Sequence, residues 1–135
     1  MTKEWELLYQ RALEVTRPRR VSAWLETGGV GAALLSRGGN LYTGVCVDTA
    51  CSLGMCAERA AVAAMLTAGE DAVARVCAVS AGGRVMPPCG ACRELLSQLG
   101  EGAWDTEVLL DNDGRTARLR ELLPEAWNGE EEQHG

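Results

Sequence analysis

The feature that most limits the fold is an alternation of two helical stretches, each opening on a cysteine, with short apolar runs of strand length. Cys56-Ala57-Glu58-Arg59 opens an alanine-rich helix to about Thr67, closed by Gly69. A second helix runs from Cys89 to about Leu99, with Pro88 where a helix start tolerates proline. Val30 to Leu35 and Leu41 to Val47 read as strands, joined into a hairpin by the reversal Arg37-Gly38-Gly39-Asn40. Arg75 to Ser80 and Thr106 to Leu110 supply two more strands, and Arg115 to Arg118 a short fifth, before a helical turn at Leu119 to Leu123. Ahead of these, Trp5, Leu8, Ala12 and Val15 recur at helical spacing until Pro18 ends the pattern. Val21 to Leu25 is ambiguous, and Gly28-Gly29 is predicted as a loop. The order β-β-α-β-α-β-(β) calls for helices packed on a mixed sheet.

With 135 residues, 47% of them apolar, the chain has the size of one domain that can bury a core without disulfides. Residues 1–127 are expected to form it, leaving 128–135 as an acidic tail that holds Glu130, Glu131 and Glu132. No run approaches the roughly 20 apolar residues of a membrane span. The start MTKEWELLYQ has neither a signal-peptide core nor transit character, so a cytoplasmic protein is expected. A net charge of −6 repels a phosphate backbone, which argues against a nucleic-acid partner.

Six cysteines in such a chain read as metal or catalytic chemistry before disulfides. Cys46 and Cys77 lie in apolar, strand-like runs and read as small buried hydrophobes, while Cys51 falls in a loop. The single histidine, His134, sits in the polar tail. An internal Ser-His-Asp triad and a multi-histidine metal site are therefore both excluded. A metal must rely on Cys, Asp or Glu, and a general base is expected to be a carboxylate.

Cys56, Cys89 and Cys92 meet that requirement. Cys89 and Cys92 share a face of a first helical turn, and Cys56 opens the other helix. Helix starts carry free N–H groups and the positive dipole end, which favour thiolates. Three thiolates leave the fourth tetrahedral position of zinc open, as in a catalytic site. Glu58 can then reach a zinc-activated water without serving as a ligand. Arg59 follows it and can offset the thiolate charge through N–H···S contacts. Cys-x-x-Cys alone also occurs in structural zinc sites and redox pairs. Cys-x-Glu followed by Pro-Cys-x-x-Cys is the pattern of zinc deaminases of nucleobases.

At these residues the chain resembles the cytidine deaminase family in its small three-cysteine form. Val30-Gly31-Ala32-Ala33-Leu34, Cys56-Ala57-Glu58-Arg59, Pro88-Cys89-Gly90-Ala91-Cys92-Arg93 and Glu121-Leu122-Leu123-Pro124 carry the likeness, which extends from about Val30 to Trp127. The resemblance implies a three-layer α/β/α fold around a five-stranded mixed sheet, a homotetramer, and a place in pyrimidine salvage. It implies hydrolysis of cytidine or deoxycytidine to the uracil nucleoside and ammonia, with Glu58 moving protons and Zn2+ on Cys56, Cys89 and Cys92. It further implies a backbone contact to the pyrimidine at Ala57, sugar contacts at Cys46 and Asp48, and an aromatic, Trp127, stacked near the base, often from a neighbouring subunit.

The departures fall at the sugar. The family's usual Asn-x-Glu after the second strand is here Cys46-Val47-Asp48, and its phenylalanine before the first strand gives way near Gly28-Gly29. Blasticidin S deaminases share the zinc signatures, and Cys92-Arg93-Glu94-Leu95 is similar to that branch, whereas Arg59 favours the nucleoside branch. A cytosine nucleoside antibiotic or a sugar-modified nucleoside is thus an alternative substrate. A non-catalytic zinc module, with Cys46 or Cys51 as fourth ligand, is the rival from another class.

Overall fold

The computed structural model describes residues 1–129, so the three-glutamate stretch and His134 lie outside the described residues. Thr2 caps helix α1 (Lys3–Val15) by accepting the Trp5 N–H on its hydroxyl. The chain then runs through β1 (Arg19–Arg20), β2 (Leu25–Ser36), β3 (Leu41–Thr49), α2 (Ala57–Thr67), β4 (Val73–Ser80) and α3 (Gly90–Ser97). After a one-turn 3-10 segment at Ala103–Asp105 come β5 (Glu107–Leu109), β6 (Thr116–Arg118) and α4 (Leu119–Leu122).

Strand β2 is the spine of a mixed sheet ordered β3-β2-β4-β5-β6. It pairs antiparallel with β3 on one side and with β4 on the other. The β4–β5 pair is parallel, and β5–β6 is antiparallel again. The five strands expected from the sequence are all present, and β1 adds a short sixth beside the start of β2.

Two local expectations are corrected. Gly28-Gly29 is not a loop but the bulge of a longer β2, where the register shifts between Thr27 and Gly31. Gly28 has φ +82, and a Cβ there would meet the Arg17 carbonyl oxygen at 2.2 Å, so the segment leading into β1 can lie directly against it. Asn128, assigned from the sequence to the tail, is buried and donates from Nδ2 to the Ser97 carbonyl at 3.3 Å and to its hydroxyl at 3.2 Å.

Alternation along the strands divides the core into two layers. Ala33, Cys77, Val79 and Leu109 face Trp5, Leu8 and Ala12 of α1. Ala32, Leu34, Val76, Ala78 and Val108 face the other way, onto Ala57, Ala61, Val62 and Met65 of α2 and Leu96 of α3. The result is the expected α/β/α sandwich. Glu70, just past α2, accepts hydrogen bonds from Tyr42, from Ser36 at 2.7 Å and from Asn40 at 3.0 Å, tying the β2–β3 hairpin to the helix end. Among the described residues no helix is long and apolar enough to cross a membrane.

The backbone of α2 lies almost on β3 because Gly44 has no side chain. A Cβ there would come within 2.4 Å of the Ala61 amide nitrogen and 2.8 Å of the Ala57 carbonyl oxygen. Neither backbone atom can yield cheaply, and Ala57 begins the helix. Gly44→Ala is therefore expected to destabilise the fold by about 1–3 kcal/mol, as overpacking does. A lowered urea midpoint checks this, and an unchanged midpoint would contradict it.

Candidate active site

Two backbone clamps bring the cysteines together. The loop after β3 returns to it through an isolated bridge, Val47 to Met55, with both N–H···O distances 2.9 Å. Gly54 makes this close return possible, since a Cβ there would sit 2.5 Å from the Val47 carbonyl oxygen. Cys56 follows at once as the N-cap of α2. The chain beyond β4 is held similarly, by a Val79–Val85 bridge and by the Met86 N–H on the Ala78 carbonyl at 2.8 Å. Pro87 and Pro88 then lead to Cys89, the N-cap of α3. Arg93 braces this segment, donating from Nε to the Pro88 carbonyl at 2.8 Å and from Nη1 to the Leu122 carbonyl at 3.0 Å.

Both cysteines are caps rather than first helical residues, and neither makes a side-chain capping hydrogen bond. Their thiols point instead into the space between the two helix ends, which meets the expected convergence. Cys56 Sγ is 3.3 Å from Cys89 Sγ, and Cys89 Sγ is 3.5 Å from Cys92 Sγ. All three sulfurs lie within 4.8 Å of one another. Zinc binds thiolates at about 2.3 Å, so two sulfurs of a tetrahedral site lie about 3.8 Å apart. The spacing and the donor chemistry therefore fit Zn2+.

The electrostatics call for a cation as well. Burial pushes the Cys92 thiol up, and the nearby Glu58 charge and the other two thiols add to it. Burial and the contact with Cys89 likewise raise Cys56. Burial acts in the same sense on Cys89, but the Cys92 backbone N–H and the neighbouring thiols bring it below its ordinary value. A divalent ion among these acids reverses the mutual repulsion and holds the sulfurs as thiolates. Arg59 supplies part of this balance within the chain, its Nη2 donating to Cys56 Sγ at 3.8 Å.

Glu58 is 6% exposed, and burial raises its carboxyl above the usual carboxylate range against the smaller opposing effect of Arg59. It lines a cleft of about 580 Å3 together with Cys56, Cys89, Ala57 and Arg59. Cys92 lies beneath them, buried in α3. Cys46 and Asp48 line the same cleft, with Cys51 also on its wall. The Cys46 thiol is already engaged, accepting the Val30 N–H at 3.3 Å and facing Asp48 Oδ2 at 3.5 Å. Cys77 is buried on the α1 side of the sheet, its thiol pushed up to about 12 chiefly by burial.

Trp127 is not part of this wall. It is 70% exposed, and its indole N–H donates to Glu94 of α3. Gly29, Met86 and Pro87 line the cleft without having been singled out from the sequence. Pro87 could have been found by its place before Pro88-Cys89, and Gly29 by the missing phenylalanine. Met86 carried no such signal.

Comparison with known proteins agrees with this geometry. Residues 3–105 match the family described as the cytidine and deoxycytidylate deaminase zinc-binding region. A cytidine deaminase of Halalkalibacterium halodurans is 37% identical over 107 residues, covering 76% of this chain and 79% of its own. The crystal structure of a mutant cytidine deaminase from Mycobacterium tuberculosis superposes with a TM-score of 0.79 at 30% identity, over 96% of this chain and 99% of the other. That of cytidine deaminase from Burkholderia pseudomallei gives a TM-score of 0.75 at 31% identity, over 94% and 100%. With three thiols gathered at two helix ends and this match along most of its length, the chain belongs to the zinc-binding cytidine and deoxycytidylate deaminase family.

Proposed function

We propose that the protein hydrolyses the exocyclic amine of a free cytosine nucleoside, cytidine or deoxycytidine, to the uracil nucleoside and ammonia. The observation that carries this is the placement of Glu58 on one cleft wall with Cys56 and Cys89, which with the buried Cys92 form a three-thiol group that would leave zinc an open position. Cys56, Cys89 and Cys92 would hold the zinc, which would supply a Lewis acid able to make water a nucleophile near neutral pH.

Glu58 does the proton work. Its carboxylate takes a proton as water attacks the ring carbon, delivers it to the adjacent ring nitrogen, and helps the amine leave as ammonia. Burial suits it to this exchange, because a carboxyl with raised proton affinity both accepts and releases a proton in the working pH range. Ala57, buried at the start of α2 and on the cleft wall, offers its backbone to the pyrimidine carbonyl. Arg59 is a positioning residue that holds the Cys56 sulfur and tempers the negative charge of the site. Cys46 and Asp48 face the sugar, and Trp127, placed away from its own cleft, would reach the base only in a neighbouring subunit of a homotetramer. In a cytoplasmic setting the activity would serve pyrimidine salvage. Residues 1–127, with Asn128 packed against them, would act as one catalytic domain followed by the acidic tail.

A second reading, deamination of a sugar-modified cytosine nucleoside or of an antibiotic such as blasticidin S, is favoured by the engaged Cys46 thiol, which leaves Asp48 to meet the sugar side. A structural zinc module is disfavoured. Among the described residues the metal-binding group contains three cysteines and neither Cys46 nor Cys51.

Ammonia release from cytidine and deoxycytidine tests the assignment. Glu58→Gln is expected to lower kcat by about 10²-fold or more while one zinc per chain is retained. Chelation should abolish turnover and zinc readdition restore it; zinc-loaded protein inert toward every cytosine compound would refute the assignment. Arg59→Ala is expected to weaken zinc retention under chelator challenge by about 10-fold or more, as loss of a ligand's supporting partner does. If gel filtration gives a tetramer, Trp127→Ala should raise KM more than it lowers kcat, whereas a monomer with full activity would remove Trp127 from the site.

A further inference from the structure

The cleft does not end at the sugar side. A second cavity of about 290 Å3 adjoins it and shares two wall residues with it, Gly29 and Asp48. At Gly29 a Cβ would meet no atom within 4 Å, so the missing side chain leaves the passage between the two spaces open. The bulge places this glycine near where the family usually carries a phenylalanine.

The charges along the passage have an order. Asp48, Glu58 and Arg59 are the charged side chains on the cleft wall, and the last two adjoin the three thiols. A cytosine ring directed at the thiols therefore turns its sugar toward Asp48. Across the strands, Asp48 pairs in register with Glu26, and Glu26 with Arg20, so the three share one face of the sheet. Glu26 and Arg20 line the second cavity with Arg19.

Two carboxylates directly opposite one another on neighbouring strands repel. Among the described residues no ion pair relieves either of them. Arg20 spends Nε on the Ser22 carbonyl at 3.1 Å and Nη2 on the Ala23 carbonyl at 3.4 Å, fixing the β1–β2 turn. Of the charged residues on the second cavity's wall, Asp48 alone also lines the cleft, so an arm leaving the cleft meets this carboxylate before Glu26, Arg19 or Arg20.

We propose that Asp48 and Glu26, reached through the gap at Gly29, bind a protonated amine carried on the sugar of the cytosine nucleoside. This rests on the deaminase reading and narrows its substrate class to amino-sugar cytosine nucleosides. The engaged Cys46 thiol fits the same picture, since it offers a neutral sugar hydroxyl little.

The test compares kcat/KM of zinc-loaded protein for 3′-amino-3′-deoxycytidine, 5′-amino-5′-deoxycytidine, cytidine and cytidine 5′-phosphate at neutral pH. At least one amine is expected to exceed cytidine by roughly tenfold, the size of one charge-assisted hydrogen bond. Asp48→Asn and Glu26→Gln should each erase most of that ratio. Gly29→Leu should do so by filling the passage, and its ordinary φ makes it a fold-preserving companion. Calorimetry of the same amines on Glu58→Gln protein separates recognition from turnover. Amines and cytidine used equally well, or a preference for the phosphate, would overturn the proposal and leave the deaminase assignment standing. No turnover of any of the four would remove that assignment and the proposal with it.

Discussion

Three thiols and a carboxylate are packed where two helices begin, and such a group repels itself unless something positive is present. The helix ends supply part of it. Cys56 and Cys89 cap α2 and α3 without closing the caps on themselves, so free N–H groups and the positive ends of both dipoles face the sulfurs. Arg59 adds a guanidinium at Cys56. These contributions leave Cys92 raised by burial and by the nearby Glu58 charge, and Glu58 raised by burial, and zinc would complete the balance. The sheet serves this arrangement. Strands β2, β3 and β4 form the platform on which both helices lie, and isolated bridges at Val47–Met55 and Val79–Val85 fix the segments that lead into the two helix starts.

The division of labour along the cleft follows from this concentration of charge. The metal end has little freedom, because each thiol has a neighbour at sulfur–sulfur contact and Glu58 is buried beside them. The opposite end is exposed and held by fewer contacts. There the Cys46 thiol accepts the Val30 N–H and donates to Asp48 Oδ2, and the Asp48 carboxylate is exposed. On the proposed reading, chemistry belongs to the first end and recognition of the ring's substituent to the second.

Much of this was legible in the sequence, for definite reasons. The helix starts at Cys56 and Cys89 could be read because alanine-rich and leucine-rich periodicity begins there after glycine or proline. The metal group was legible because histidine is absent from the described fold and the remaining ligands stand at helix-end spacing. The bulge at Gly28 and Gly29 was not. Paired glycines signal a turn when local chemistry alone is weighed, and only the Arg17 backbone pressed against Gly28 shows why a strand needs them. Asn128 fell with the tail because the family likeness ended at Trp127, whereas its bonds to Ser97 depend on where α3 lies. Trp127 shows the limit from the other side. The family resemblance implied a contact with the base, often across subunits, and within one chain its indole donates to Glu94 and is largely exposed.

The Val47–Met55 bridge has a consequence for how such an enzyme could diversify. Asp48 follows one of the bridged residues and Cys56 follows the other, so a cleft-lining carboxylate and a thiol of the metal-binding group hang from the same pair of backbone hydrogen bonds. The loop between them can vary in side chains, since Cys51, Ser52 and Leu53 are exposed. It can change length only if Val47 and Met55 keep each other as partners, because a shift of either would carry a thiol away from the other two. New specificities in this scaffold would therefore arise by exchange of single residues such as Gly29, Cys46 and Asp48 rather than by remodelling of the loop.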